Sequence, residues 1–278
     1  MPELPEVETI RRELEPLLVA RRIDQVTVHR HDIVGFPDAD AFGRMAVGHT
    51  VTGVARRGKY LIFELDRERD LVIHLRLSGH LEVVGPDAVP RYERARFGLS
   101  DGRALSFAEP RVLGKVYLVM RSHYPAVLAG MQGMGQEPTG DGFTAQYLAD
   151  ALRGRRASVK SLLLDQRICC GVGNIYSDEA LFRAGIRPTR RAGRLSPVEV
   201  RRLARELRRV LDDGIRWCGT TMADARYVLP NGARGRFQER LRVFGREGRH
   251  CRRPGCSGTV RRVKIGNRGT RFCPVCQK

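Results

Sequence analysis

The chain has 278 residues, enough for one large or two ordinary domains, and its 50 Lys and Arg against 31 Asp and Glu give a net charge of +19. No apolar run has the length of a membrane span and no segment resembles a signal peptide, so the sequence predicts a cytoplasmic protein without a membrane partner. Residues 1–140 carry 19 cations and 19 anions, whereas residues 141–278 carry 31 and 12. The second half is therefore expected to bind a polyanion with salt-dependent affinity.

The first six residues, Met1-Pro2-Glu3-Leu4-Pro5-Glu6, combine a candidate nucleophile with two carboxylates. Removal of Met1 would leave the ring nitrogen of Pro2 as a free secondary amine, which condenses with a sugar aldehyde to a charged iminium. Glu3 and Glu6 lie within one helical turn of that nitrogen and could transfer protons. The alternative is ordinary capping of the following helix, and these residues alone do not decide between the two.

The first half of the chain predicts one helix followed by β-structure. Residues 5–19 space apolar side chains at helical intervals, and Pro16 is expected to bend or end that helix early. From Arg22 to about Met120, short strand-like runs alternate with Gly and Pro, which predicts an antiparallel β-sandwich or barrel. Residues 131–142 are rich in glycine and predict a linker.

The second half predicts helices with recognisable ends. Thr144 and Ser158 begin two helices, and the turn Gly171-Val172-Gly173-Asn174 leads into a third that Gly185 ends. A helix, glycine turn and helix is typical of nucleic-acid-binding units, and the turn lacks the third glycine of a dinucleotide site. Ser196-Pro197-Val198-Glu199 predicts a capping box at the start of a longer helix.

Four of the seven cysteines form the pattern Cys251-x4-Cys256-x16-Cys273-x2-Cys276. Two thiolate pairs separated by enough residues for a β-hairpin fit one tetrahedral Zn²⁺, and four protein ligands make that zinc structural because no position is left for water. A disulfide is the disfavoured alternative in a cytosolic chain. Cys169 and Cys170 are expected to be small buried thiols.

The opening Pro2-Glu3-Leu4-Pro5-Glu6-Val7-Glu8-Thr9 resembles that of the bacterial formamidopyrimidine-DNA glycosylases, which remove oxidised purines from DNA. Further motifs extend the resemblance over nearly the whole chain. They are Arg56-Arg57-Gly58-Lys59-Tyr60, His74-Leu75-Arg76-Leu77-Ser78-Gly79, Glu109-Pro110-Arg111-Val112-Leu113-Gly114, Lys160–Arg167 with Gly171–Tyr176, and Asn267–Cys273. The resemblance implies that Pro2 is the nucleophile, that Glu3 and Glu6 are catalytic carboxylates and that Lys59 lies near the lesion sugar.

The resemblance also implies DNA contacts in the first half. His74 would contact a phosphate, Leu77 would fill the gap left by a flipped base, and Arg111 would face the orphaned base. Leu113 stands where the family has a stacking Phe, and Leu77 where it has Met. A leucine can still act as a wedge, whereas stacking on a ring would be lost. Tyr92 stands where the family often has a DNA-contacting His.

In the second half, the resemblance makes Lys160 and Asn174 phosphate ligands, with Arg156 a weaker candidate. Arg268, at the tip of the hairpin between the cysteine pairs, would contact the phosphate next to the lesion and so contribute to the catalytic site. The loop Thr220–Arg236 would cover the everted purine.

Together these features predict an α+β fold. An N-terminal β-sandwich domain with an N-terminal helix (1–130) is followed by a linker (131–142), a helix–two-turn–helix domain (143–240) and a zinc ribbon (241–278). The expected function is that of a monomeric, bifunctional glycosylase and lyase on damaged double-stranded DNA. Two alternatives remain open: a sister glycosylase that prefers oxidised pyrimidines, and a non-catalytic zinc-containing DNA-binding protein.

Overall fold

The structure, a computed structural model, describes residues 1–223 and 227–278, and the chain divides into two compact units. The first unit comprises Met1–Gln132 and Trp217–Arg236, and the second comprises Gly133–Arg216 and Phe237–Lys278. The predicted boundaries differ from this division at residues 131–142, which belong to the two units instead of a separate linker, and at Trp217–Arg236. The latter segment had been assigned to the helical domain. Tyr227 and Leu229 explain the difference, since both side chains are buried in the core of the first unit.

The first unit contains three helices and nine strands among its described residues. They are, in chain order, α1 (Leu4–Leu18), β1 (Ile23–Val28), β2 (Val34–Phe36), α2 (Ala39–Ala46), β3 (Val51–Arg57), β4 (Tyr60–Leu65), β5 (Arg69–His74), β6 (His80–Val84), β7 (Glu93–Leu99), β8 (Ala104–Ala108), β9 (Lys115–Met120) and α3 (Tyr124–Val127).

The strands of this unit form two sheets, with the orders β1-β7-β8-β6 and β2-β9-β5-β4-β3. All pairings are antiparallel except that of β2 with β9. One buried cluster joins side chains of both sheets, including Phe63 and Phe107, with the apolar face of α1, including Ile10 and Leu14. The predicted β-sandwich with an N-terminal helix is therefore confirmed.

Helix α1 continues past Pro16, which was expected to bend or end it early. Pro16 lies inside the helix, which ends only at Leu18, and the N–H of Val19 still bonds to Glu15 O at 3.0 Å. Leu14 and Leu18 are fully buried on either side of Pro16. Burial of such side chains contributes about 1.5–3 kcal/mol each, which is comparable to the cost of a proline in a helix. Packing therefore keeps the last turn helical.

The second unit contains four helices and one hairpin among its described residues. They are α4 (Ala145–Leu152), α5 (Val159–Leu163), α6 (Asn174–Ala184), α7 (Pro197–Arg216), β10 (Arg261–Ile265) and β11 (Arg268–Phe272). The predicted linker is part of this unit from Gly133 onward, and Gly135 N–H donates to Gln166 O at 3.0 Å. The α+β class with a helical region and a cysteine-bearing ribbon is confirmed.

Local capping signals determine four of the eight helix ends in this unit. The side chain of Thr144 accepts the N–H of Tyr147 at 3.0 Å, and Ser158 begins α5. The predicted box at α7 forms in both directions, because Ser196 N–H donates to Glu199 Oε2 at 2.8 Å and Glu199 N–H donates to Ser196 Oγ at 3.3 Å. Gly185 ends α6 with a φ of 70°, which is costly for other residues. Within the described ranges, no helix is long and apolar enough to cross a membrane.

Candidate active site and nucleic-acid interface

The start of α1 buries the three residues predicted to carry the chemistry. Pro2 is buried, and Glu3 and Glu6 expose only 3% and 2% of their surface, whereas Met1 is 43% exposed. Glu6 Oε2 accepts the N–H of Glu3 at 2.8 Å, and Glu6 Oε1 accepts the N–H of Thr220 at 2.8 Å. Glu6 therefore joins the N-terminus to the loop that the sequence analysis had assigned to lesion recognition.

The loop at Thr220 is held by its own hydrogen bonds as well. Thr221 Oγ1 donates to Tyr227 O at 2.9 Å and accepts Gly235 N–H at 2.9 Å, and the hydroxyl of Tyr227 donates to Cys218 O at 3.0 Å. Residues 224–226 of the predicted loop Thr220–Arg236 lie outside the described residues. The described part is thus a compact element of the first unit.

Lys59 lies in the two-residue turn that joins β3 to β4, where Arg57 pairs with Tyr60. The turn requires Gly58 at a φ of 58°, and Arg56 Nη1 donates to Gly58 O at 3.1 Å. Lys59 is only 7% exposed, so its side chain is largely buried although it lies in a turn. A cation held in such surroundings interacts more strongly with a nearby charge than one in water.

His74, at the end of β5, is 7% exposed and its Nδ1 accepts the N–H of Arg76 at 3.0 Å. Burial, with the nearby charges of Arg76 and Lys59, lowers the pKa of His74 to about 3. The imidazole is therefore neutral near pH 7. Because Nδ1 accepts a hydrogen bond, the proton is on Nε2, which makes Nε2 a hydrogen-bond donor.

The other predicted DNA contacts of this unit lie on exposed turns. Leu77 is partly exposed in the turn after β5, and Arg111 and Leu113 are exposed in the turn between β8 and β9. Tyr92 is 41% exposed, with the guanidinium of Arg91 4.6 Å from its ring centroid. This unit thus exposes one cation and three apolar or aromatic side chains to solvent.

An open cavity of about 630 Å³ lies beside these turns. Its lining includes Ser78 and His80 next to one turn, Pro110 next to the other, and Val228. All belong to the first unit, so this unit by itself forms a concave surface bounded by both turns.

In the second unit, the structure corrects the role expected for Lys160. Its side chain has no exposed surface, and Nζ donates to Asn174 O at 3.0 Å, Ser177 Oγ at 2.7 Å and Asp178 Oδ1 at 2.5 Å. A phosphate has no access to an ammonium in that position. The direct phosphate contact is therefore wrong for this structure, because Lys160 serves as the internal partner of Asp178.

Asn174 is the first residue of α6 rather than its cap, which is Gly173. Its Nδ2 donates to Gly269 O of the hairpin at 3.0 Å, and its Oδ1 is buried without a hydrogen-bond partner among the described residues. Arg156 is exposed in the turn before α5. Asn174 therefore connects the helix to the ribbon, and Arg156 is accessible to an external anion.

Two further carboxylates of α6 attach the same ribbon. Asp178 Oδ2 accepts the N–H of Arg271 at 2.9 Å, and Glu179 Oε1 accepts those of Val243 and Phe244 at 2.9 Å. Burial raises the pKa of Asp178, against the opposing effect of Lys160. Neither carboxylate was identified in the sequence analysis. An Asp–Glu pair within a helix is typical of a polar, solvent-facing surface, whereas Asp178 and Glu179 are both buried.

The hairpin of β10 and β11 carries Arg268 on an exposed position at its tip, where Ile265 pairs with Arg268. Arg261, Arg262 and Lys264 on β10 are also exposed. The guanidinium of Arg271 lies 4.6 Å from the ring centroid of Phe244. The ribbon is thus a cationic surface supported from within by α6.

The four predicted metal ligands come together. The sulfur atoms of Cys251, Cys256, Cys273 and Cys276 all lie within 4.8 Å of one another. Three of the separations are 3.6, 3.7 and 3.0 Å, far longer than the roughly 2.05 Å of a disulfide. Tetrahedral thiolates at bonds of about 2.3 Å lie about 3.8 Å apart, close to two of these values.

The backbone around the cysteines also suits metal-bound sulfur. Cys251 Sγ accepts the N–H of Arg253 at 3.4 Å, and Cys256 Sγ accepts that of Gly258 at 3.3 Å. A Cβ on Gly258 would meet Cys273 Sγ at 2.6 Å, so the sulfur cluster requires glycine there. The four cysteines can hold a metal ion. Cys169 and Cys170 are fully buried, as expected.

Comparisons with known proteins agree with this architecture. The N-terminal domain of formamidopyrimidine-DNA glycosylase matches residues 1–116, and the H2TH domain of the same proteins matches residues 134–225. The chain is 44% identical over 278 residues to the formamidopyrimidine-DNA glycosylase of Symbiobacterium thermophilum, which covers all of this chain and 89% of that protein.

Solved structures give the same result. The MutM (Fpg) protein of Thermus thermophilus superimposes with a TM-score of 0.89 at 40% identity, covering 99% of this chain and 98% of that one. A complex of a Lactococcus lactis Fpg mutant with DNA containing Fapy-dG has a TM-score of 0.92 at 31% identity, and coverage is 100% of both chains.

The first unit therefore contains the N-terminal domain of a DNA glycosylase, and the second unit contains most of its H2TH domain. The chain belongs to the formamidopyrimidine-DNA glycosylase family. The resemblance inferred from the sequence motifs is confirmed.

Proposed function

We propose that this chain is a bifunctional DNA glycosylase and abasic-site lyase that excises oxidised purines, 8-oxoguanine and formamidopyrimidines, from duplex DNA during base excision repair. The observation that carries the proposal is the start of α1, where Pro2, Glu3 and Glu6 are buried together in a chain of this family. Glu3 and Glu6 also form the capping box of α1, but capping alone would not require Pro2 and both carboxylates to be buried.

The chemistry begins with eversion of the damaged nucleotide, because its sugar carbon is inaccessible within the stacked duplex. Removal of the exposed Met1 frees the nitrogen of Pro2. That nitrogen attacks C1′ of the sugar, the bond from C1′ to the base breaks, and a proton from Glu3 passes to the departing base. The carboxylate of Glu3 then takes the N–H proton of Pro2 and passes it to O4′ as the bond from C1′ to O4′ breaks and the ring opens. The product is an iminium between Pro2 and C1′, whose positive charge withdraws electrons from the sugar.

Strand cleavage follows from the same iminium. Loss of a proton from C2′ expels the 3′ phosphate, and a second elimination expels the 5′ phosphate, which leaves a one-nucleotide gap. Lys59 stabilises developing negative charge from its largely buried position. Glu6 holds the N–H groups of Glu3 and Thr220 in place, so that the N-terminus and the loop at Thr220 keep one geometry.

The exposed turns of the first unit would hold the distorted DNA. His74 donates from Nε2 to a phosphate, Leu77 and Leu113 act as apolar wedges, and Arg111 faces the orphaned base. Tyr92 adds an exposed ring for a further DNA contact. Unstacking a base step costs a few kcal/mol, which the wedges offset by filling the gap.

The second unit would supply affinity for the phosphate backbone. Arg268, Arg156 and Asn174 are the proposed contacts, and Lys160 acts from the interior through Asp178. The four cysteines would hold one structural Zn²⁺, which supplies folding free energy to the ribbon and has no open position for water.

Borohydride trapping tests the mechanism. Wild-type protein is incubated with duplexes that contain 8-oxoguanine, dihydrouracil or an abasic site, with Pro2→Gly and Glu3→Gln as variants. We expect a covalent adduct with the oxidised purine that maps to Pro2 and is lost in Pro2→Gly. Glu3→Gln should lose base excision and retain duplex binding.

Each alternative has its own outcome in this assay. Preferential trapping on dihydrouracil would favour the pyrimidine-specific sister enzyme. Leu77 and Leu113 replace the Met and Phe of the purine-specific family, so they are compatible with that alternative. Duplex binding without cleavage or trapping would favour a binding protein. Mass spectrometry that finds Met1 retained on fully active protein would exclude Pro2 as the nucleophile, because its nitrogen would then be an amide.

A further inference from the structure

A buried carboxylate outside the proposed catalytic set joins the two turns that carry the wedges. Glu109 follows β8 and has no exposed surface. Its Oε1 accepts the hydroxyl of Ser78 and the N–H of Arg111 at 3.2 Å. Its Oε2 accepts the N–H groups of Leu113 and of Gly114, the latter at 3.1 Å. One side chain thus bonds both to its own turn and to the turn after β5.

The surrounding backbone leaves little freedom for either turn. A Cβ on Gly114 would meet the ring of Phe107 at 2.6 Å and Glu109 Cγ at 3.2 Å. A Cβ on Gly79 would meet Leu75 O at 2.6 Å and the same ring at 2.9 Å. Both turns are therefore packed against Phe107 as well as bonded to Glu109.

The hydrogen bonds also account for the ionised state of the buried carboxylate. Burial by itself would raise the pKa of Glu109, but the bonds from Ser78 and from the backbone of Gly114, Leu113 and Arg111 lower it below its usual value. Four neutral donors converge on two oxygens. A glutamine at this position would direct one NH₂ group at N–H donors, which have no lone pair to offer it.

We propose that Glu109 is a positioning residue that holds the turn of Leu77 and the turn of Arg111 and Leu113 as one preformed unit, ready to fill the space left by an everted base. This inference rests on the proposed function, because it assumes that these side chains enter the duplex. Prearrangement lowers the entropic cost of ordering both turns at the moment of eversion. Glu109 itself is buried and is not expected to contact DNA.

Glu109→Gln and Ser78→Ala separate this role from simple stability. The first removes the charge, and the second removes only the bond between the turns. Glu109→Asp keeps the charge and serves as the conservative rescue. Asp70→Asn is the matched control, since Asp70 is 3% exposed in the same unit and accepts hydrogen bonds from Tyr124 Oη at 2.5 Å and Arg121 Nε at 3.2 Å. It lies near the start of β5, at the opposite end of that strand from the turn of Leu77.

Two readouts report the positioning. One is the ratio of single-turnover excision of 8-oxoguanine to cleavage of a preformed abasic site, where no base has to be everted. The other is the fluorescence of 2-aminopurine placed opposite the lesion, which rises when that base is unstacked. Melting temperatures are measured for every variant.

We expect Glu109→Gln to slow excision by about 10- to 100-fold, the effect of losing charge-assisted hydrogen bonds, while abasic-site cleavage falls much less. The 2-aminopurine signal should be lost or delayed. Glu109→Asp should recover most of both, Ser78→Ala should lie between, and Asp70→Asn should leave the ratio at the wild-type value even where its melting temperature falls.

An unchanged ratio and unchanged fluorescence in Glu109→Gln would overturn the inference, as would an equal change in Asp70→Asn. If Glu109→Gln does not fold, Ser78→Ala decides alone, and a wild-type ratio in it would overturn the inference. These outcomes leave the proposed function intact, because wild-type excision and trapping proceed. Absence of excision by wild-type protein would instead overturn the proposed function.

Discussion

The two units use buried carboxylates in different ways. In the first unit, Glu6 and Glu109 accept mainly backbone N–H groups and so give short segments one conformation. In the second unit, Asp178 and Glu179 lie side by side on α6 and attach a separate ribbon, and Asp178 is also paired with the buried Lys160.

The surface charge of the units differs accordingly. The first unit has 22 Lys and Arg against 19 Asp and Glu, and the second has 28 against 12. Mutual repulsion among so many cations opposes a compact second unit, and the internal anions and the cysteine cluster offset it. The comparison indicates that a catalytic site requires an ordered backbone. Affinity for a polyanion instead requires exposed cations on a surface that buried contacts hold in place.

The largest expected effect comes from removing the proposed metal ion of the second unit. Structural Zn²⁺ in small ribbons contributes about 10–16 kcal/mol of apparent binding free energy, so chelation or Cys273→Ser should unfold the ribbon and abolish duplex binding. Hydrogen exchange should increase across residues 241–278 and remain unchanged in β3, β4 and β5. Cys218→Ser, which changes a thiol outside the cluster, is the control. Full protection of the ribbon after chelation would contradict the proposed metal site.

The next test breaks the internal pair of the second unit. Lys160→Met leaves Asp178 buried and unpaired, which typically costs about 3–5 kcal/mol of unfolding free energy in urea titrations. A double variant, Lys160→Met with Asp178→Leu, should regain part of that loss. Because Lys160 is inaccessible, Lys160→Met should not change the number of phosphates contacted. A Lys160→Met protein as stable as wild type would show that the pair contributes nothing.

A third test concerns the first unit and pH. The pKa of His74 is about 3 in the folded protein and near 6.5 when unfolded, so the unfolded chain binds a proton that the folded chain does not. The contribution of His74 to stability is therefore complete above pH 6.5 and is lost as the pH falls toward 3, by at most about 1.4 kcal/mol per pH unit. Urea unfolding of wild type and His74→Asn across pH 4–7 measures it. Parallel curves for the two proteins would contradict the assignment.

The smallest test counts phosphate contacts. Each neutralised phosphate contributes about 0.9 to the slope of log K against log salt, so Arg268→Ala should lower the slope by about one. Arg201→Ala, an exposed cation on α7, is the matched control and should leave the slope unchanged. Fluorescence anisotropy at several salt concentrations measures both. A smaller slope for Lys160→Met than for wild type would reinstate Lys160 as a phosphate ligand.

Features that depend on neighbouring residues could be predicted from the sequence. The caps at Thr144, Ser158 and Ser196 form because side chain and backbone lie within three residues of each other. The cysteine cluster could be predicted from spacing because a β-hairpin between the two cysteine pairs brings them together. Pro16 does not end α1 early because the helix packs against the sandwich, and no local pattern records that packing.

Residue types and their order along the chain determined the α+β class, the cationic second half and the cysteine cluster, since these follow from short-range geometry and composition. The family was indicated by the resemblance of its motifs. Tertiary structure alone decided that Lys160 faces inward, that Glu109 bonds to two turns and that Trp217–Arg236 joins the first unit. The partners in these contacts lie up to 214 positions apart, as Thr220 and Glu6 do. Whether a charged side chain meets water or a buried partner depends on which distant segments fold over it, and that is a property of the packed chain.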